Sequence, residues 1–172
     1  MVTIDLKHVN ESAPYALRLA PYAQLSYILT TDYGVNYTLS FMPSDLMPEI
    51  EAYEFAISNT NHRKSPRDPK LRQSILTLVY EFFRTREAVM LYLCETGDNR
   101  QKHRSRLFES WFRASGHQTT FAFLSAQIPD EEGISNFVAL IVRPDHPRFA
   151  FIAQQFSDTI ELFRDNKPEN IG

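Results

Sequence analysis

Two basic clusters carry most of the chemistry this sequence can offer. The first lies in ETGDNRQKHRSRLFESWF, residues 95–112. Arg100, His103 and Arg104 recur at helical spacing and continue into Leu107, Phe108, Trp111 and Phe112, so on a helix they extend one apolar stripe toward its start. The macrodipole makes a helix start positive, and each cation placed there costs a few tenths of a kcal/mol up to roughly 1. Cations at such a place are expected where something negative cancels their repulsion. One source is a ligand anion received by Arg100, His103 and Arg104, supported by Glu95, Asp98 and Asn99 in the same turn. The other is the chain itself: Arg100 and Arg104 pair with Glu95, Asp98 or acids elsewhere and act as struts. Both readings stay open. Lys102 and Arg106 read as solvated charges.

The second cluster is His62-Arg63-Lys64-Ser65-Pro66-Arg67, followed by Lys70 and Arg72. Here Arg63, Lys64 and Arg67 have the chemistry of side-chain contacts to phosphate. The competing reading is a solvated loop. If this loop and the first cluster share one sheet edge, the two basic sets merge.

Other chemistry is thin. No Ser-His-Asp constellation is supported, so nothing in the pattern decides whether the chain is catalytic. His8, His62, His103, His117 and His146 have no tight ligand spacing, and no metal is expected. His146, beside Pro147, reads as a residue at a helix start. Cys94 is the one cysteine. It cannot form an internal disulfide, and a small core residue is the simpler reading than a thiol activated by nearby arginines.

The net charge of −3 is unevenly spread: −5 over residues 1–58, +6 over 59–118 and −4 over 119–172. A basic island in an acidic chain points to an anionic small molecule or an acidic protein partner, or to pairing with the acidic flanks. The overall acidity argues against a general nucleic-acid binder. The chain is 43% hydrophobic and 13% aromatic, which excludes a disordered chain. No apolar run approaches the roughly 18 residues of a membrane span, and MVTIDLKHVN lacks the regions of a signal peptide. A cytoplasmic location is the expectation.

The elements that must position these clusters follow from periodicity. Val2–His8 reads as a short strand and Ser12–Leu19 as a short helix. Leu25–Thr31 and Val35–Met42 read as strands around the turn Asp32-Tyr33-Gly34. Tyr53, Phe55 and Ile57 alternate in a further strand. Asp68-Pro69 places a cap and a first-turn proline at a helix start, and Leu71, Ile75, Leu78, Val79 and Phe82 carry that helix to about Thr85. AVMLYLC, Ala88–Cys94, is apolar without alternation, as in a central strand covered on both faces. A helix from about Asn99 to Ala114 follows. Thr119–Gln127 and Ile134–Val142 form a hairpin, and a last helix after Pro147 carries Phe149, Ile152, Phe156, Ile160 and Phe163. The order β(α)βββαβαββα predicts one α+β domain over residues 1–165, with a frayed tail at 166–172. Its mixed, mostly antiparallel sheet has a central βαβ crossover.

The segment VMLYLCETGDNRQKHRSRLFESWF, with the aromatic strands before it, resembles an uncharacterised family of small bacterial proteins seen mainly in Bacteroidota, over roughly residues 25–165. That family is a domain of unknown function. The order of elements is also similar to that of GCN5-related N-acetyltransferases, at the level of fold. This second resemblance implies a divergent acyltransferase using acyl-coenzyme A, whose pyrophosphate that family holds on backbone amides between the fourth strand and the next helix. The matching segment here is NTNHRKSPRDPK. It has no glycine, and Pro66 and Pro69 lack amides.

Overall fold

A proline with no N–H to lose, preceded by an aspartate that accepts the next free amides, starts the helix Pro69–Arg84 where the sequence puts it. A computed structural model describes residues 3–84, 88–94, 108–111, 121–129, 132–133 and 135–165. In chain order the elements begin with α1 (Leu6–Ser12), β1 (Arg18–Leu19), β2 (Ser26–Thr30), β3 (Asn36–Pro43), β4 (Ala52–Asn59) and α2 (Pro69–Arg84). They continue with β5 (Val89–Cys94), helical residues 108–111 (α3), β6 (Ala122–Pro129), β7 (Ser135–Val142) and α4 (Phe149–Asp165). The fold is α+β, and its seven strands stand in the order β1-β2-β3-β4-β5-β7-β6. None of the helices among the described residues is long and apolar enough to cross a membrane.

The N-terminal elements differ from expectation. Residues 6–12 are helical, where the sequence suggested a strand over Val2–His8. The reason is local: the Asp5 side chain accepts the His8 amide at 3.1 Å, a first-turn cap that outweighs a brief alternation. Within the stretch expected as a helix, Arg18 and Leu19 instead pair with Ile28 and Tyr27 of β2, a non-local partner that no local pattern reveals.

The chain divides into two compact units, Met1–Met42 with Phe55–Glu87, and Pro43–Glu54 with Ala88–Gly172. In the first, β2 and β3 form an antiparallel hairpin. The predicted face of β3 is fully realised: Val35, Tyr37, Leu39 and Phe41 are all buried. Phe41 stacks on Phe82 of α2 with centroids 4.7 Å apart and tilts against Phe55 at 4.9 Å. The stripe Leu71, Ile75, Leu78, Val79 and Phe82 is the buried side of α2, as its 3–4 spacing requires.

In the second unit, β7 pairs antiparallel with both β5 and β6. The Val89 amide donates to the Glu51 carbonyl at 3.0 Å, which sets the start of β5 beside the start of β4. Ala88, Val89, Met90 and Leu91 are all buried, as a central strand demands. Ile152, Phe156 and Ile160 of α4 close this core against Val138, Leu140 and Val142. Phe163, expected on the buried stripe, is 47% exposed; it lies at the end of α4, where the apolar face outruns what the sheet covers.

Candidate functional site

The basic loop leaves β4 at Asn59 and reaches α2 at Pro69, and its first residues are tied to the β2–β3 hairpin. The turn closes locally. The Thr31 hydroxyl accepts the amides of Tyr33 and Val35 at 3.3 and 3.2 Å, and the Gly34 amide donates to the Thr31 carbonyl at 3.0 Å. Gly34 has φ +72°, a conformation glycine adopts without strain.

The loop then grips this turn. Asn61 donates from Nδ2 to the Gly34 carbonyl at 2.8 Å and accepts the Asn36 amide on Oδ1 at 3.1 Å. The Thr60 amide donates to the Asn36 carbonyl at 2.9 Å. The Asn59 Nδ2 donates to the Arg63 carbonyl at 2.8 Å, closing the loop on itself. Asn59 Oδ1 is buried with no partner among the described residues. Arg63 lays its guanidinium over the turn, with Nη1 2.7 Å from where a Cβ on Gly34 would stand.

Arg63, Lys64 and Arg67 are exposed, and no carboxylate among the described residues lies within ion-pair distance of them. Lys70 is different. Its Nζ pairs with Asp32 at 2.9 Å, and that hydrogen bond holds its pKa above the ordinary lysine value.

The start of α2 is closed to a ligand. Asp68 Oδ1 accepts the amides of Lys70 and Leu71 at 3.0 and 3.3 Å, and its carbonyl accepts the Arg72 amide at 3.2 Å. Pro69 has no amide. The other carboxylate oxygen accepts the Tyr15 hydroxyl at 2.6 Å, while that hydroxyl accepts the Asp32 amide at 3.3 Å. Burial, then the bond to Asp68, push the Tyr15 phenol up to about 12. No amide of this first turn is free for a phosphate, and a carboxylate stands in its place. These residues do not fit a coenzyme A pyrophosphate held on backbone amides.

A second polar cluster joins α1 to α2. The Glu81 side chain is only 4% exposed. Arg84 reaches it through Nε at 3.0 Å and Nη2 at 2.9 Å, and His8 Nδ1 lies 2.6 Å from Oε2. Its carboxylate is thus satisfied inside the fold. No group of three His, Cys, Asp or Glu among the described residues is placed to hold a metal.

Of the residues the sequence singled out, the structure brings Arg63 onto the hairpin and leaves Lys64 and Arg67 open. Arg100, His103, Arg104, Glu95, Asp98 and Asn99 lie outside the described residues. Later in the sequence, Phe108 is buried and stacks on Tyr92 of β5 at 4.1 Å. Asn59 and Asn61, which shape the loop, were not singled out. Asparagine beside a strand end is a turn signal, but its partner lies 27 residues away.

No curated protein and no solved structure matches the chain. A family model matches residues 67–158, just over half of it, from the last arginine of the basic loop through most of α4. The chain therefore belongs to the Family of unknown function (DUF6169).

Proposed function

We propose that the protein is a binding or regulatory module that receives an anionic small molecule or an acidic segment of a protein partner on Arg63, Lys64 and Arg67. The observation that carries this reading is the contrast between a pinned loop and its exposed cations, which pair with no carboxylate among the described residues. Asn59 and Asn61 tie down the backbone, so less ordering is left for the ligand to impose. Three exposed cations without carboxylate partners among the described residues are then available for charge-assisted bonds. On sequence grounds, Arg100, His103 and Arg104 are proposed as a second anion-receiving set at their own helix start, and a cytoplasmic location goes with the reading.

A divergent acyltransferase is the second reading. The run of elements from β2 onward supports it: β2–β3–β4, α2, β5, α3 and the β6–β7 hairpin are similar to the GCN5-related order, whereas α1 stands before β1 and no helix lies between β1 and β2. The cap on α2 weighs against it, because Asp68 occupies the amides that fold family uses.

Thermal-shift titration with pyrophosphate, an acidic peptide and acetyl-coenzyme A separates the two readings. Stabilisation by pyrophosphate or the acidic peptide that is lost in R63A/K64A/R67A supports the binding module. A response to acetyl-coenzyme A alone, kept in that variant, supports the acyltransferase. No response to any of them removes both.

A further inference from the structure

The turn between β2 and β3 carries an aromatic ring that its backbone does not require. Tyr33 is 56% exposed. Within this turn only Gly34 takes a positive φ, so the backbone at 33 accepts almost any side chain, and small polar residues are the usual choice. The Tyr33 amide donates to the Thr31 hydroxyl at 3.3 Å, so the exposed ring stands on a fixed base.

The basic loop returns to this same point. His62 has φ +55°, a left-handed conformation that is strained for a residue with a Cβ. Bonds on either side hold it there: Asn61 to the Gly34 carbonyl, and Asn59 to the Arg63 carbonyl. The next residue, Arg63, lays its guanidinium over Gly34, with Nη1 2.7 Å from where a Cβ there would stand. The chain reversal at His62 thus sets a guanidinium on the residue next to the exposed ring. The acid of the turn, Asp32, is engaged by Lys70 at 2.9 Å. Lys64 and Arg67 follow, both exposed.

We infer that the anion received here is a nucleoside diphosphate, whose base stacks on the Tyr33 ring while Arg63, Lys64 and Arg67 take its phosphates. This rests on the anion-binding reading of the loop and narrows it to one ligand class. A free phosphate or an acidic peptide engages the cations alone and leaves the ring without a role. A nucleotide uses both: guanidinium groups bond phosphate oxygens in pairs, and the flat base covers an aromatic face that water otherwise wets. Every base has a π-face, so the ring confers a preference for nucleotides over bare phosphates without selecting the base.

Calorimetric titration with ADP, CDP and pyrophosphate tests this on the parent chain, Y33A, Y33F and R63A/K64A/R67A. Tyr33 is exposed, so melting of Y33A and Y33F is expected to match the parent. ADP and CDP are expected to bind about tenfold more tightly than pyrophosphate, the margin of one stacked base, although pyrophosphate carries at least as much charge. Y33A should remove that margin and leave pyrophosphate binding unchanged, Y33F should keep it, and the triple variant should lose all three ligands. Upfield shifts of the Tyr33 ring protons with ADP, absent with pyrophosphate, give an independent reading. Pyrophosphate binding that depends on the three cations, with no tighter binding of ADP or CDP, overturns this inference and leaves the anion site standing. So does a nucleotide margin that survives in Y33A. No binding of any of the three ligands overturns the anion site and this inference with it.

Discussion

Asn61 holds Gly34 across the β2–β3 turn, its Nδ2 donating to the Gly34 carbonyl at 2.8 Å while its Oδ1 takes the Asn36 amide. One side chain thus fixes the path of the basic loop against the tip of a hairpin. The cations downstream inherit that fixed start.

Replacing Asn61 by alanine removes both bonds and leaves two backbone groups of the turn without their partner. A loss of about 1–2 kcal/mol is expected by urea denaturation. Anion binding should weaken in the same variant, although no cation is touched.

The cap at the start of α2 is a second strut. Asp68→Ala releases the Lys70 and Leu71 amides and the Tyr15 hydroxyl, and should cost about 1–2 kcal/mol. Asp68→Asn keeps an acceptor for the amides and should cost less than half as much. Equal losses in the two variants, measured by thermal unfolding, would show that the charge and not the cap matters.

At the α1–α2 junction, Arg84→Ala leaves the buried Glu81 carboxylate with His8 as its remaining side-chain partner among the described residues. That should be the larger of the two losses at this junction. His8→Ala leaves the two-point bond from Arg84 in place and should cost about 1 kcal/mol. The order of the two losses is the test, read from chemical denaturation at neutral pH.

Alkaline pH should unfold the protein through its buried phenols. Burial raises Tyr27 from 10.0 to about 12, and burial with the Asp68 bond does the same for Tyr15. A phenol raised in the folded state binds its proton more tightly there than in the unfolded chain. Its stabilisation is therefore complete below pH 10 and is lost as pH rises toward 12. Melting temperature should fall over that window, and Tyr27→Phe should flatten the fall.

Much of this architecture is legible in the residues themselves. Asp32-Tyr33-Gly34 announces a turn, Asp68-Pro69 a helix start, and Val35, Tyr37, Leu39 and Phe41 a half-buried strand, because each is a local rule acting over a few residues. The parts misread or left unread depend on partners outside the local pattern. Arg18 and Leu19 are a strand only because β2 lies beside them. Glu81 is buried because Arg84 and His8 together satisfy it, and His8 comes from another helix. The candidate site divides in the same way: the loop cations stand out as a charge run, while Asn61, which fixes the loop, shows its role only through contacts 25 and 27 residues apart.

The most direct test of the central claim is a pyrophosphate titration followed through backbone amide chemical shifts, on the parent chain and on R63A/K64A/R67A. The prediction is saturable shifts in residues 60–67 and in the turn at 31–36, absent from the triple variant and weakened by added salt. Shifts absent from that loop at about 10 mM pyrophosphate, where even millimolar affinity would register, or shifts that persist unchanged in the triple variant, would contradict it.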